Sequence, residues 1–278
     1  MMPIQTANAR PQVDLHIPRL AEVGRDLLTL SRSQRFVALT LPFVWTGAYA
    51  FFAAIGWWPA AIVAAAGYTF YSYGSTSHDL VHGNLGLPSW LTNVFLAFIE
   101  LAGMRSGHAY RAAHLHHHAF FPDHDDVEAA GAHTSFTGAL LQGPAHQVSI
   151  WRWALRYANR DRAWIIGEIT AIACIAVASI LISQVTPAPL VWVVLVVLGS
   201  WTFPFLTAWL VHDSQGADIL QQTRRFRGNV AAIVFRNHLY HLEHHLYPRV
   251  PHQRWPELAR RLDPFLDRAA VRPVVMKF

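Results

Sequence analysis

The sequence contains very little cysteine, lysine and charge. Of its 278 residues, one is a cysteine (Cys174) and one is a lysine (Lys277). A single thiol excludes a disulfide scaffold and a zinc or iron–sulfur site built on cysteines. Charged residues make up 14% of the chain, against roughly 25% in a typical soluble domain. Hydrophobic residues make up 53%, which excludes a disordered chain because disorder requires low hydrophobicity and high net charge.

Two long tracts have almost no ionisable side chains. Residues 36–77 contain no Asp, Glu, Lys, Arg or His, and residues 163–211 contain only Glu168. A membrane-spanning helix needs about 20 apolar residues, so each tract has room for two helices and a turn. Glycine and proline lie near the middle of each tract, where a turn is needed. We therefore predict four transmembrane helices in two hairpins, near residues 36–56, 58–77, 163–184 and 189–211.

The placement of arginine predicts the orientation of these helices. The 22 Lys and Arg residues lie before residue 36, between residues 105 and 162, or after residue 212, and neither predicted hairpin turn contains any. By the positive-inside rule, both termini and the central segment face the cytoplasm. We therefore expect an integral, multi-pass protein, with a bacterial inner membrane as its location. A nucleic-acid partner is not predicted, because it requires a basic patch on a soluble fold.

These predictions divide the chain into five segments. The hairpins cover residues 36–77 and 163–211, and the segments on the cytoplasmic side cover residues 1–35, 78–162 and 212–278. Three further helices are predicted within the more polar segments. They are an amphipathic helix on the membrane surface at residues 20–30, a half-inserted or interfacial helix at residues 90–104, and an amphipathic helix capping the bundle at residues 252–267.

Histidine is unusually abundant, with 17 residues, as many as Asp and Glu together. In the predicted topology, every histidine lies at or beyond the cytoplasmic end of a span. Many fall in three clusters, at residues 78–82, 114–118 and 241–245. Residues four positions apart share one face of a helix, so His78 and His82 point in the same direction. This segregation indicates a single site under the cytoplasmic surface.

The second cluster contains four histidines, and helical geometry separates them. At ~100° per residue, His117 and His118 lie within about 60° of His114 around a helix, whereas His116 lies about 200° away. We therefore predict that His114, His117 and His118 are metal ligands. His116 is predicted to remain on the surface or to act behind the ligands.

The third cluster repeats the spacing of the second. His241, His244 and His245 share one helix face, and Pro248 marks the end of that helix. His238 lies one turn upstream on roughly the same face. For His238 we favour a hydrogen-bonding role next to the ligands over direct metal binding.

Counting the candidate ligands indicates two metal ions. His212 ends the fourth predicted span as His78 ends the second, and it joins the set, with a lone interfacial histidine as the alternative. The set is His78, His82, His114, His117, His118, His212, His241, His244 and His245. One zinc ion takes four ligands, so this set fits two ions. Imidazole suits iron, copper, zinc and nickel alike, and the element is therefore not determined by the ligands.

The predicted fold class is an all-α integral membrane protein. Its four transmembrane helices form two hairpins, and a cytoplasmic helical cap holds a histidine-rich dimetal site. The sequence has no His-Glu-x-x-His motif of zinc proteases and no Glu-x-x-His motif of soluble carboxylate-bridged di-iron bundles. A divalent-metal transporter is a remote alternative, because transporters usually place ionisable ligands in the middle of the membrane.

Three stretches carry a resemblance to a known family: HDLVHG at residues 78–83, HLHHH at 114–118 and HLEHHLYP at 241–248. Set among two apolar hairpins, they resemble the membrane fatty acid desaturase superfamily, which includes acyl desaturases, lipid hydroxylases, and carotenoid hydroxylases and ketolases. The resemblance implies a non-haem di-iron centre (Fe2+/Fe3+) that activates O2 with electrons from outside. It also implies that His212 matches an extra histidine of acyl-CoA desaturases. The iron ligands that it implies within the clusters are His78, His82, His114, His117, His118, His241, His244 and His245.

The resemblance implies an O2-dependent oxidoreductase that desaturates a fatty acyl chain. The alternative on the same scaffold is hydroxylation or ketolation of a carotenoid such as β-carotene. The sequence has no His-Pro-Gly-Gly haem-binding signature, so we expect a separate electron donor, a ferredoxin or a cytochrome b5-like protein with its reductase. Such donors are often acidic, which makes Arg224, Arg225, Arg227 and Arg236 a candidate docking site. The sequence does not indicate the oligomeric state.

Metal-bound imidazoles usually donate their second N–H group to a carboxylate or another acceptor. The residues placed to orient the ligands are Asp79, Asp125, Asp126, Asn237, His238 and Glu243, with Asp213 as a further carboxylate. For Asp125 and Asp126, a solvated acidic loop or a helix cap is an equal alternative. No catalytic residue is predicted beyond the metal ligands.

Overall fold

The computed structural model describes residues 16–229 and 237–277, which are mostly helical. The α-helices are α1 (Leu20–Val23), α2 (Arg32–Ala54), α3 (Trp58–Tyr71), α4 (His78–Val81), α5 (Ser89–Ala102), α6 (Gly107–Phe120), α7 (Phe136–Leu141), α8 (Gly143–Tyr157), α9 (Arg162–Ile182), α10 (Ala188–Ser200), α11 (His241–Leu246) and α12 (Trp255–Arg268). Two π-helical segments are Ser72–Ser77 and Pro204–Trp209. Short 3-10 turns lie at Arg25–Leu28, Ala129–His133, Asn159–Asp161 and His252–Arg254, and strands β1 (Phe226–Arg227) and β2 (Val274–Val275) pair in parallel.

Three helical stretches are long and apolar enough to cross a membrane: Arg32–Ala54, Asn159–Ile182 and Ala188–Trp209. The breaks between α2 and α3 and between α9 and α10 fall at the predicted turns. Helix α5 has 14 residues, which at 1.5 Å per residue is about 21 Å, too short for a hydrocarbon core of about 30 Å. The helical, membrane-type class is therefore observed, while four spans, two hairpins and a cytoplasmic cap stay predictions.

The second predicted span, residues 58–77, is not one regular α-helix. Helix α3 ends at Tyr71, and a π-helical segment follows before α4 begins at His78. The segment consists largely of small polar residues, and the hydroxyl of Ser75 donates to the carbonyl of Tyr71. Such side-chain bonds compete with regular helical hydrogen bonds. Because a π turn holds one more residue than an α turn, this segment sets the direction in which His78 projects.

A buried ion pair fixes the position of this helical path beside its neighbours. The Arg105 guanidinium donates to Glu100 at 2.6 Å, and the hydroxyl of Ser77 donates to the same carboxylate at 2.5 Å. Arg105 also donates to Ser200 at 3.0 Å, and all four side chains are buried. A buried charge is tolerated only when it is paired. The network therefore ties α5 and α10 to the residue that precedes His78.

The loop that follows α6 packs against the helical path that ends at His212. Residues 129–133 form a tight turn in close contact with the π-helical segment that begins at Pro204. Gly131 permits the approach, because a Cβ atom there would collide with the carbonyl of Pro204. The hydroxyl of Ser214 also donates to this loop at 3.1 Å. The contact holds Asp126 and Glu128, which precede this turn within the loop, next to the histidine site.

The amphipathic helix predicted near residues 252–267 is present as α12. Its buried side chains include Trp255, Leu258 and Leu262, which share one apolar core with Leu242 of α11. These positions recur at helical spacing, so one face of α12 supplies the contact. Helix α12 therefore packs directly on the helix that carries the third histidine cluster.

The N-terminal segment also packs on α12. The helix predicted at residues 20–30 is broken at Gly24, whose φ of 133° is readily adopted by glycine alone. Leu27 is buried in the core that contains α12, and Arg261 of α12 pairs with Asp26 at 2.7 Å. The apolar face that we predicted to lie on the membrane surface is thus covered by α12, because the chain turns at Gly24 and folds back.

Candidate metal centre

All nine predicted ligand histidines meet in the interior of the described fold. They form two groups of imidazoles that could each hold a metal ion: His78, His82, His114, His118 and His244 in group one, and His117, His212, His241 and His245 in group two. Within each group, the candidate ligand nitrogens lie within 4.8 Å of one another. Four segments far apart in the chain therefore contribute to one compact site.

The two groups are direct neighbours. The ring centroids of His118 in group one and His245 in group two are 4.4 Å apart, and those of His117 and His118 are 5.6 Å apart. Helix α6 contributes to both groups, because His114 and His118 lie one turn apart on one face and His117 projects beside them. The arrangement is that of two adjacent sites with a common wall of imidazoles.

His116 points away from both groups. Its ring stacks on Phe120 at 4.4 Å and lies 4.8 Å from Trp153. Its Nε2 atom is 3.8 Å from the carboxylate of Asp125. This is the outward position that the helical rotation from His114 predicts.

The ring nitrogens that face inward cannot all hydrogen-bond one another. His117 Nδ1 lies 2.6 Å from Asp126, and His212 Nδ1 lies 3.1 Å from the carbonyl of Ala208. Both partners accept hydrogen bonds, so in a neutral ring the proton is on Nδ1 and Nε2 has a free lone pair. The two Nε2 atoms nevertheless lie 3.1 Å apart. Two lone pairs at this distance repel, and a cation bound by both removes the repulsion.

The donors of group one fit a cation in the same way. Glu128 lies 2.9 Å from His114 Nδ1, which leaves His114 Nε2 as a lone-pair donor. That atom is 3.0 Å from His82 Nε2 and 3.2 Å from His118 Nε2. Group one offers five nitrogens and group two offers four. Four ligands are enough to bind one metal ion. The residues present therefore fit a dinuclear metal centre.

Burial keeps the imidazoles of His82, His114, His118 and His245 neutral. Removal from water lowers the pKa of His114, His118 and His245 well below the usual value of a histidine, and neighbouring histidines lower it further. Burial likewise lowers the pKa of His82 to about 4. A histidine must be neutral to bind a metal ion. The site therefore presents metal-binding nitrogens at neutral pH.

Among the predicted orienting residues, Asp126 contacts a candidate ligand directly. It is fully buried and accepts from His117. Asp125 is 74% exposed on its side chain and lies near His116, outside both groups. Asp213 accepts from the backbone N–H of Gln215. Asp125 and Asp126 are thus neighbours in one loop with opposite environments, the first exposed and the second buried.

The remaining predicted orienting residues make other contacts. Asp79 accepts from His252 Nδ1 at 2.5 Å, and the side chain of Asn237 donates to the His252 carbonyl at 3.3 Å. Glu243 accepts from Arg227 at 2.5 Å. The buried ring of His238 packs 4.9 Å from the His241 ring, but neither of its nitrogens has a hydrogen-bond partner within the described residues. These contacts hold the segments around the site together.

Sequence reasoning missed Glu128. This residue is buried and accepts hydrogen bonds from His114 Nδ1 at 2.9 Å and from the Tyr73 hydroxyl at 3.3 Å. Burial raises its pKa, and the hydrogen bond from Tyr73 opposes that shift. It lies ten residues beyond the second histidine cluster, in a loop with no periodic pattern. The one available signal was its position two residues after Asp126.

Glu168, the acid within the second apolar tract, is paired with polar neighbours. It accepts hydrogen bonds from His108 Nδ1 and from the Ser106 hydroxyl, each at 2.6 Å. Only 3% of its surface is exposed. These hydrogen bonds anchor the start of α6 to α9. They fix the position of the second histidine cluster, on α6, relative to α9.

Three of the four arginines predicted as a docking site make internal contacts. Arg224 donates to a backbone carbonyl at 2.6 Å, and Arg225 and Arg227 pair with Asp263 at 2.7 and 2.6 Å. Arg236 lies outside the described residues. The described three arginines therefore connect the segment after His212 to neighbouring parts of the fold, and a docking role for them stays a prediction.

The model of one protein family, described as fatty acid desaturase, matches residues 55–274 of the chain. The match covers most of the chain and includes all nine histidines of the two groups. The comparison with curated proteins gave no match.

Proposed function

Because this chain belongs to the fatty acid desaturase family, we propose that it is a membrane-bound non-haem di-iron oxidoreductase. It uses O2 and external electrons to desaturate a fatty acyl chain. The observation that carries the proposal is the pair of adjacent imidazole groups in a chain with membrane-type helices. Imidazole nitrogens suit several metals, and the family favours iron among them.

The overall reaction requires a metal and an electron donor. Desaturation removes two hydrogen atoms from adjacent carbons and reduces O2 to two molecules of water, so two further electrons and two protons must enter. Two iron ions in groups one and two would supply the O2 activation and electron transfer that amino-acid side chains lack. The external donor that we propose is a ferredoxin or a cytochrome b5-like protein with its reductase.

The protein's own contribution is to bind, orient and enclose the metal ions. Nine imidazoles provide nitrogen ligands without negative charge. Asp126 and Glu128 accept hydrogen bonds from the Nδ1 atoms of His117 and His114 and so orient these two rings. Most of these rings are buried; His114, His117 and His244 are at most 3% exposed. Exclusion of water from the site prevents side reactions during the oxidation.

The proposed topology supplies the substrate from the bilayer. We propose four spans in two hairpins, with both termini and the histidine site on the cytoplasmic side. The supporting observations are the three apolar helices and the absence of Lys and Arg from the two predicted turns. In that arrangement the acyl chain of a membrane lipid reaches the site from the inner leaflet.

Product analysis in a defined bacterial host tests the proposed function. Cells that express the wild type should contain acyl chains with an additional double bond, detected by mass spectrometry of lipids. Cells that express His117→Ala should lack them, because group two loses one of its four ligands. The matched control is His116→Ala, which removes the neighbouring imidazole outside both groups and should keep the product.

Two other results would contradict this assignment. A host that also makes carotenoids should show unchanged pigments; hydroxylated or ketolated carotenoids without new double bonds would replace acyl desaturation by the carotenoid reaction. Purified protein should contain about two iron ions, in line with two groups of four or five ligands. Zinc uptake without O2 consumption would overturn the enzyme assignment.

A further inference from the structure

A short loop directly after α6 holds one imidazole of each metal group. Asp126 lies 2.6 Å from His117 Nδ1 in group two, and Glu128 lies 2.9 Å from His114 Nδ1 in group one. Both carboxylates are buried, at 0% and 5% exposed. A single residue, Val127, separates them. The two carboxylates therefore act from one rigid point on two different groups.

The loop itself is fixed by further hydrogen bonds. The second oxygen of Asp126 accepts from the backbone N–H groups of Glu128 at 3.1 Å and Ala129 at 3.2 Å. Glu128 also accepts from the Tyr73 hydroxyl. Gly131 packs against the backbone of Pro204, which anchors the end of the loop. Neither carboxylate can move far without breaking several of these contacts.

Four of the other ligand rings are held differently. In the described part of the chain, the Nδ1 atoms of His78, His241 and His244 have no hydrogen-bond partner, and His212 Nδ1 donates to a neutral carbonyl. Carboxylates are stronger acceptors than carbonyls, because the hydrogen bond is assisted by charge. The loop thus supplies one carboxylate partner to each group.

We propose that Asp126 and Glu128 are positioning residues that set the metal affinity of the two groups separately, Glu128 through His114 and Asp126 through His117. The proposal rests on the metal centre of the proposed function. A carboxylate behind a ligand imidazole holds its tautomer and orientation and makes the metal-binding nitrogen more basic. Its replacement by an amide keeps the shape and removes the carboxylate.

Metal titration of purified protein tests the proposal without a substrate. Wild type, Glu128→Gln and Asp126→Asn are stripped of metal in detergent and titrated with Co2+, whose visible spectrum reports its ligands. We expect two ions in the wild type. Each variant should bind one ion as before and the other roughly 10- to 100-fold more weakly. The spectral changes of the two variants should differ, because different groups are affected.

Asp125→Asn is the matched control, since Asp125 lies in the same loop but is exposed and outside both groups. It should bind both ions as the wild type does. Two ions bound with unchanged affinity in both Glu128→Gln and Asp126→Asn would overturn the proposal. Failure of the wild type to bind two ions would instead overturn the dinuclear centre, so the two failures are distinguishable.

A second variant guards against misfolding. If Glu128→Gln does not fold, Tyr73→Phe removes one hydrogen bond to Glu128 and leaves its carboxylate in place. Tyr73→Phe should weaken the binding of the same ion by a smaller factor than Glu128→Gln does. It should change the same part of the Co2+ spectrum. An unchanged titration of Tyr73→Phe, in the absence of a folded Glu128→Gln, would count against the role of Glu128.

Discussion

The buried carboxylate of Asp79 connects the first histidine cluster to the C-terminal segment. It accepts hydrogen bonds from the backbone N–H of His252 at 3.1 Å and from His252 Nδ1 at 2.5 Å, and both residues are fully buried. An unsatisfied buried donor costs more than a typical hydrogen bond contributes. At this position a residue next to a ligand therefore serves the fold rather than a ligand ring.

Asp79→Ala should lower the free energy of unfolding by about 1–3 kcal/mol, because it leaves two buried donors of His252 without an acceptor. Denaturant unfolding in detergent measures the change. The control is Asp125→Ala, which removes an exposed carboxylate. Loss of bound metal in Asp79→Ala without loss of stability would contradict this structural role.

The stability of the metal-free protein should depend on pH. Burial lowers the pKa of His146 and of His238 to about 4 in the folded protein, whereas an unfolded histidine titrates near 6.5. Between these values the unfolded chain binds protons that the folded one does not. Stability is therefore present above about pH 6.5 and is lost as the pH falls towards 4.

Unfolding of metal-free protein at pH 7.5 and at pH 5 measures this dependence. Each histidine that stays neutral in the fold should contribute about 1.4 kcal/mol per pH unit within the window. His146→Gln should make the dependence shallower, because one such histidine is removed. A stability that is equal at both pH values would show that the buried rings are not kept neutral.

At the scale of secondary structure, the two helical paths that end at His78 and at His212 share one feature. Each changes to π-helical geometry shortly before the histidine, at Ser72–Ser77 and at Pro204–Trp209. Single π turns are rare and frequently occur at functional sites. The residues after a π turn therefore project in a different direction from the one that they would have in a regular α-helix of the same length. These segments aim the two imidazoles into groups one and two.

Deletion of Ser75 should leave metal binding in group one intact. A π turn holds one more residue than an α turn, so removing one residue restores a regular helix and leaves the direction of His78 nearly unchanged. Metal analysis of purified protein should then still find about two ions per chain, in line with two groups. The contrasting variant is deletion of the exposed Val63 from the regular helix α3, which rotates His78 by ~100° around its axis and should remove about one ion. Equal metal content in the two deletion variants would contradict the aiming role.

At the scale of the whole molecule, orientation in the membrane is the main prediction. It can be tested with a reagent that labels cysteine but does not cross the membrane, in a Cys174→Ala background without other cysteines. Val185→Cys lies at the second predicted turn and is 89% exposed. It should be labelled in intact cells. Asp125→Cys should be labelled only after the cells are opened. The reverse pattern would contradict the predicted orientation.

Much of the architecture could be predicted because it depends on local pattern. The apolar tracts indicated helices of membrane type, and the turns near Gly56 and Pro187 fall where the helices break. The interruption of the second predicted span could not be predicted, because it arises from hydroxyl bonds such as that of Ser75 and from packing on neighbouring helices. The fold of residues 20–30 back onto α12 likewise depends on a distant partner.

The sequence by itself determined which imidazoles share a helix face, because that follows from spacing of three and four residues along the chain. It also determined the family, through three short motifs in order. Only the tertiary structure decided how the imidazoles divide into groups of five and four and which acids support them. His78 and His244 meet at 2.9 Å although 166 positions separate them. Contacts of this kind are set by packing between segments, and no local pattern encodes them.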